Sequence, residues 1–291
     1  MDALLTLFRG FEDLILALLI SLPRLYAFIA SAQILNASAV PKLARNATIL
    51  SLALPVIPAN LAHVPEIGHD LPTFALFFAK EYVVGFVFGY MIGWLFWTVT
   101  SVGDLIDNQR GAAIASSIDP LQGHQTSPLG NLFSQAFVTY FFSVGGILTV
   151  IGILYQSFLL WPVTKTIPLI SADFPVLVLD VLDLGVRTMF IMAAPVVAIM
   201  FLSEFALALV SRFAPQIQVF ILAMPIKSAI ALFILIFYVG MLLPHAAGQQ
   251  SQFAIWVDRL YELLAVGERA GSDSVPAPEG SSGPSNAGGR P

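Results

Sequence analysis

Long apolar stretches separated by short polar segments run through most of the chain. Five stretches approach or exceed the roughly 20 residues that a helix needs to cross a bilayer, and they cover residues 14–34, 82–102, 132–161, 186–210 and 217–243. They are continuous and do not alternate with a period of two, which favours helices over the strands of a membrane barrel. Because only these two structures satisfy every backbone group in lipid, the pattern predicts a helical membrane protein.

Prolines and glycines predict where these helices bend or break. Pro23 lies within the first stretch and predicts a kink there. Residues 47–61 are apolar but short and contain two prolines, so they are marginal for a crossing. The pair Gly145-Gly146 predicts a kink in one helix over 132–161, with a helical hairpin as the alternative.

Three glycines recur every four residues in the third segment of the chain, at Gly85, Gly89 and Gly93. On a helix they form one smooth stripe, along which a second backbone can approach closely. We therefore expect a tight helix–helix contact there, the alternative being ordinary glycines of a membrane helix.

Composition agrees with a chain that faces lipid. Hydrophobic residues make up 57% and charged residues 11% of the sequence, against about 25% charged residues in soluble domains. The chain has no cysteine, which excludes disulfides and thiolate metal sites. A net charge of −5 gives no indication of nucleic-acid binding. The expected fold is an all-α membrane protein of kinked helices and helical hairpins.

Three regions follow from the change of pattern along the chain. Residues 1–248 form the predicted multi-helix membrane core, in which 165–183 is a mixed connector. Residues 249–270 place apolar side chains at helical spacing and predict an amphipathic helix lying on a membrane or a partner. Residues 271–291 are rich in glycine, serine, proline and alanine, and are expected to be disordered.

Arg24, Glu204 and Lys227 lie within apolar stretches, and Arg212 lies between the last two of these stretches. A charge at mid-bilayer costs about 2.5–3.5 kcal/mol on the insertion scale, so these side chains should pair, line a water-filled path or meet a partner. Glu204 and Lys227 are expected to pair across a hairpin at Pro215. For Arg212, burial and snorkelling to an interface remain equal alternatives.

A compact polar cluster stands between apolar segments, formed by Asp104, Asp107, Gln109 and Arg110. On a helix, Asp104 and Asp107 share a face, and Arg110 lies one turn beyond Asp107 and can pair with it. The alternative is a simple polar loop.

The sequence motifs give little support for a catalytic site or a metal-binding site. His63, Glu66, His69 and Asp70 form a metal-like spacing, but neighbouring prolines and a glycine favour a solvated loop. No nucleophile elbow, phosphate loop or zinc-protease motif occurs. Asp104 follows a glycine, as in intramembrane aspartyl proteases, but Ser101 stands where those enzymes carry a second glycine. We expect no cofactor, no metal and no enzymatic activity.

Two polar segments together resemble a known signature. The first is GDLIDNQRG at 103–111, ending in Gly111, with Asp119-Pro120 and SPLG at 127–130 after it. The second is SRFAPQ at 211–216 leading to MPIKS at 224–228. The chain resembles the T subunit of the type III secretion export apparatus, the SctT family related to flagellar FliR, over about residues 10–265. Arg110, where the flagellar branch more often has methionine, favours the injectisome branch.

The resemblance implies a function and partners that hydropathy does not show. Family members join R and S subunits in a helical, funnel-like gate in the bacterial inner membrane, and this gate passes unfolded protein substrates. The U switch protein and the V export-gate subunit are further implied partners. We thus expect a pore component whose polar residues near 104–111 and 204–227 line the conduit or meet subunits. A secondary transporter using Glu204, Arg212 and Lys227 is the alternative.

Overall fold

The structure, a computed structural model, describes residues 2–35, 40–61, 71–111, 127–163, 173–213 and 219–273. Within these ranges it contains helices and turns and no strand, which confirms the predicted all-α membrane protein. The helices are α1 (Asp2–Ala32), α2 (Lys42–Ala53), α3 (Ile57–Leu61), α4 (Leu71–Gln109), α5 (Pro128–Ser143), α6 (Gly146–Leu160), α7 (Phe174–Phe213), α8 (Val219–Gly248) and α9 (Ser251–Asp273), with a 3-10 turn at Leu54–Val56 between α2 and α3.

Helix α4 is the centre of the fold. It packs against α1, α5 and α7 along much of its length, and α6, α8 and α9 also touch it. The main hydrophobic core lies on α4 and includes Phe88, Leu95 and Phe96. The rings of Phe137 and Phe141 from α5 pack edge-on to Phe96 at 5.3 and 5.1 Å between centroids.

Among the described residues, four helical stretches are long and apolar enough to cross a membrane: Gly10–Ala32, Pro72–Gln109, Phe174–Phe213 and Leu222–Leu264. Helices α5 and α6 form a bent pair at 82°, which counts as a fifth crossing if it is one broken span. The bend lies at Gly145, whose φ of 79° is left-handed and suits glycine. The predicted break is therefore in the right place, but it is far sharper than a kink in one helix.

Two predicted boundaries were wrong. Helix α4 starts at Leu71, eleven residues before the predicted stretch, and it continues to Gln109. The polar cluster at 104–109 is thus helical and not a loop. Helix α7 starts at Phe174, so most of the expected connector at 165–183 is also helix. Within these segments, Asp107 pairs with Arg110 and Asp180 pairs with Arg259.

The short second stretch is broken as expected. Helix α2 ends at Ala53, a 3-10 turn follows, and α3 contains only five residues, Ile57–Leu61. None of these three pieces reaches the length of a crossing. They pack against α1, and Ile49, Ala53 and Val56 join the core.

Helix α9 packs on its own chain, which corrects the expectation that it lies on a membrane or a partner. Phe253, Trp256, Val257 and Leu260 are buried and belong to the main core. The helix continues to Asp273, three residues into the predicted tail, and residues 274–291 lie outside the described part of the chain.

Candidate functional site

Asp107 joins the end of α4 to the start of α5. One carboxylate oxygen, Oδ2, accepts hydrogen bonds from Ser127 Oγ at 2.6 Å and from the backbone N–H of Leu129 at 2.9 Å. The other, Oδ1, accepts from Arg110 Nε at 2.7 Å. Ser127 is also the N-cap of α5 and accepts from the N–H of Gly130 at 2.9 Å. A carboxylate at a helix N-terminus satisfies free N–H groups and interacts favourably with the helix dipole.

The same junction brings two glycines into backbone contact. A Cβ added to Gly103 would lie 2.5 Å from the backbone nitrogen of Gly130, too close for any real side chain. A Cβ on Gly130 would overlap the carboxylate of Asp104. In the 127–130 segment, the serine thus caps α5, the proline begins this helix, and the glycine allows α4 and α5 to cross closely. We call Asp104, Asp107, Arg110, Ser127 and Gly130 the α4–α5 junction.

The first segment of the predicted signature, 103–111, approaches the second, at 224–228, through Gly111. Its φ of 84° is left-handed, and a Cβ placed on it would lie 3.7 Å from the Met224 side chain on α8. Gln109 is exposed, and Arg110 is mostly buried beside Asp107. The junction therefore lies beside the first turns of α8, three residues before Lys227.

Glu204 on α7 and Lys227 on α8 form the expected ion pair. Lys227 Nζ lies 2.7 Å from Glu204 Oε2, with side-chain exposures of 13% for the lysine and 54% for the glutamate. Glu204 is surrounded along α7 by exposed apolar side chains, including Phe201 and Phe205. The carboxylate of this pair is thus exposed on an otherwise apolar surface.

Arg212 does not join this pair. It is exposed in the last turn of α7, and no ion pair to it occurs among the described residues. Pro215 lies outside them. Glu204, Arg212 and Lys227 therefore do not form the three-residue site that the transporter hypothesis requires.

A buried ion network lies toward the N-terminal end of α4. Arg24 of α1 and Glu81 of α4 are inaccessible to solvent, with Nε 2.6 Å from Oε2 and Nη2 2.9 Å from Oε1. The same guanidinium donates to the carbonyl oxygens of Ser157 at 2.7 Å and Trp161 at 2.8 Å. It also stacks over the Phe158 ring at 4.3 Å. Arg24 was expected to pair, to line a water-filled path or to meet a partner, and the structure shows the first of these, a buried pair with Glu81.

Lys80 extends this network. Its Nζ lies 2.9 Å from Glu81 Oε1 and donates to the carbonyl oxygen of Val163 at 2.5 Å. Arg24 thus binds carbonyl groups in the last turn and at the C-cap of α6, and Lys80 binds one just beyond the helix, where positive charge is favourable. Sequence reasoning missed Lys80 and Glu81 because the predicted crossing began at Tyr82. The unpaired Arg24 in an apolar stretch was the signal that a buried acid had to exist.

The stripe of three glycines on α4 faces α1. A Cβ on Gly85 would overlap the carbonyl oxygen of Arg24, and one on Gly89 would overlap Phe28 and Ser31. A Cβ on Gly93 would overlap the carbonyl oxygen of Ser31. The two backbones therefore run in direct contact, and the stripe positions Arg24 next to Glu81.

No group of three or more metal-ligating side chains occurs in the described part of the chain. His63, Glu66, His69 and Asp70, the metal-like spacing of the sequence, lie outside it. The expectations of no metal, no cofactor and no catalysis stay predictions.

Comparison with known proteins decides the family. The model of the bacterial export proteins, family 1, matches residues 15–253. The chain belongs to this family. It is 42% identical over 205 residues to the Yop proteins translocation protein T of Yersinia pestis, covering 70% of this chain and 78% of that protein. It is 34% identical over 212 residues to the surface presentation of antigens protein SpaR of Salmonella typhimurium, covering 72% and 78%.

The match to a flagellar relative covers more of the chain than the two matches above. The chain is 27% identical over 255 residues to the flagellar biosynthetic protein FliR of Bacillus subtilis, covering 87% of this chain and 96% of that protein. These matches confirm the predicted resemblance to the T-subunit family of type III secretion and to its flagellar relative. Both the α4–α5 junction and the ion network lie within the matched residues 15–253.

Proposed function

We propose that this chain is a structural pore and gate component of a type III protein secretion export apparatus in the bacterial inner membrane. It would let unfolded protein substrates pass and would have no catalytic role. The names of its relatives support this proposal, because the Yersinia protein is named for translocation of Yop proteins and a Salmonella relative is named a secretion system apparatus protein.

The observation that best supports the proposal is the exposed carboxylate of Glu204 in the apolar hairpin formed by α7 and α8. A carboxylate facing hydrocarbon is costly, so this face of α7 must meet protein or water and not lipid. Phe201, Phe205 and Phe213 on α7 are 69%, 56% and 88% exposed. Large exposed apolar patches around a polar group are typical of subunit interfaces.

The proposed mechanism separates a fixed frame from an assembling hairpin. The buried Arg24–Glu81 network and the glycine stripe hold α1, α4 and α6 together as the frame. The α7–α8 hairpin would pack against R and S subunits, and the α4–α5 junction would hold the base of that hairpin near the conduit. The U switch protein and V export-gate subunit are proposed as further partners.

Affinity purification from the native host tests this proposal. The full-length tagged chain is extracted in mild detergent, and co-purifying proteins are identified by mass spectrometry alongside secretion assays. Wild type should bring down small multi-helix R- and S-type proteins. Glu204→Gln, which leaves the mostly buried Lys227 unpaired, should lower both co-purification and secretion.

A matched control is Asp180→Asn on the same helix. Asp180 pairs with Arg259 at 3.3 Å, and both side chains are about half exposed, so this change should leave assembly and secretion intact. A wild-type chain that purifies alone would contradict the assembly proposal. Equal secretion by the wild type and Glu204→Gln would contradict the role given to the hairpin.

A further inference from the structure

Two cavities lie against the C-terminal end of α1 and share Gln33 in their walls. The first, of about 330 Å³, lies between α1 and α2 and includes Tyr26 and Arg45. The second, of about 170 Å³, lies between α1, α4 and α7 and includes Tyr90, Trp94 and Trp97. One cavity is thus polar and basic, and its neighbour is aromatic.

Arg45 gives the first cavity its charge. Its side chain is partly buried in the cavity wall, and no acid pairs with it among the described residues. The described segment 40–61 contains two cations, Lys42 and Arg45, and no acid. A guanidinium in a cavity, without a protein partner, matches the paired oxygens of a phosphate or carboxylate.

Trp94, in the wall of the second cavity, has an indole N–H group whose hydrogen bond is not satisfied among the described residues. The residue is 4% exposed, and its indole Nε1 is buried with no hydrogen-bond acceptor in the described part of the chain. The indole N–H is a donor only, and a buried unsatisfied group of this kind costs about 1–3 kcal/mol. A shift of the indole ring toward the cavity would let an oxygen atom of a bound ligand accept from it.

Gln33 connects the two cavities. Its φ of 55° makes it the one left-handed residue other than glycine in the described chain. Such backbone conformations are unfavourable for a side chain of this size and cluster at ligand sites. Gln33 lines the walls of both cavities.

We propose that these cavities form one binding site for an anionic phospholipid. The phosphate binds Arg45 with Tyr26 and Gln33 near it, and the ester region enters the aromatic cavity, where a carbonyl oxygen accepts from Trp94 Nε1. A lipid fits better than a soluble anion, because the second cavity is largely aromatic and apolar and the chain is a membrane protein. Tyrosine and tryptophan are enriched at the headgroup level of membranes, and basic side chains there attract anionic lipids.

Quenching of tryptophan fluorescence by brominated lipid tests the site. The full-length protein is placed in nanodiscs of zwitterionic phosphatidylcholine with a minor fraction of brominated phosphatidylglycerol, and a parallel series uses brominated phosphatidylcholine. Wild type should be quenched preferentially by the anionic lipid. Arg45→Gln should reduce that preference about tenfold, the loss expected when a hydrogen bond between charged groups is removed.

Lys42→Gln is the matched control, because it removes the same charge from the same helix at an exposed residue outside both cavity walls. It should keep the preference. Trp94→Phe should also weaken the preference, with Trp97 remaining as a reporter. Equal losses from Arg45→Gln and Lys42→Gln would overturn the proposal, since the attraction would then be general. Protection from quenching by inorganic phosphate at matched concentration would also overturn it, because the site would then bind a free anion.

Discussion

Glu81 holds Arg24, 57 positions away in the chain, through two hydrogen bonds of 2.6 and 2.9 Å in a place that solvent does not reach. This pair fixes α1 against α4 in the same region where Gly85 lets the two backbones touch. Because Arg24 also binds two carbonyl oxygens at the end of α6, one guanidinium joins three helices. The frame of the molecule therefore depends on a charge cluster inside an apolar core.

Removing the acid from this cluster should be more damaging than removing the arginine. Glu81→Gln leaves the Arg24 guanidinium buried without the carboxylate that it pairs with, and a broken buried pair costs about 3–5 kcal/mol. Arg24→Gln leaves Glu81 paired with Lys80 at 2.9 Å, so its loss should be smaller. Unfolding in detergent, followed by tryptophan fluorescence, measures both. A ranking in the opposite order would mean that Arg24, and not the charge balance, dominates the network.

The contact between α1 and α4 should not tolerate a methyl group at Gly85. The nearest atoms to an added Cβ all belong to the Arg24 backbone, which cannot move away as a flexible side chain would. Gly85→Ala should lower stability by about 1–3 kcal/mol. Gly240→Ala on α8 is the control, because nothing lies within 4 Å of its Cβ position. It should be neutral or stabilising by about 0.5–1 kcal/mol in a helix interior, and similar losses in both variants would count against the close contact.

The α4–α5 junction should depend on the charge of Asp107. In Asp107→Asn, the amide cannot accept from Arg110, Ser127 and Leu129 together, and we expect a loss of about 1–3 kcal/mol. Ser127→Ala removes the cap of α5 and should cost about 1 kcal/mol. Because the two residues share a hydrogen bond, the double variant should lose less than the sum. Thermal unfolding of the four proteins measures this, and strict additivity would show that the two residues act independently.

Helix α9 should stabilise the folded chain through Phe253. Its side chain is fully buried and lies 6.4 Å from Phe141 between ring centroids. Phe253→Ala should cost about 3–5 kcal/mol. Ile255, on the same helix and 52% exposed, provides the control, and Ile255→Ala should change stability little. If neither change lowers the stability, α9 does not pack on the core in solution. It would then lie on a membrane or a partner, as the sequence alone predicted.

The sequence by itself determined that this is a helical membrane protein, because the length and continuity of apolar stretches depend only on residues close in the chain. It also predicted the Glu204–Lys227 pair, since two opposite charges in neighbouring apolar stretches have few other partners. The length of α4 was decided by tertiary structure, because Lys80 and Glu81 end the apolar stretch in the sequence and are buried only where Arg24 of another helix pairs with Glu81. The position of α9 was decided in the same way, since one amphipathic face fits a membrane, a partner or the core equally well. Partners far apart in sequence are brought together only by the folded chain, and they alone determine which charged and apolar faces are buried.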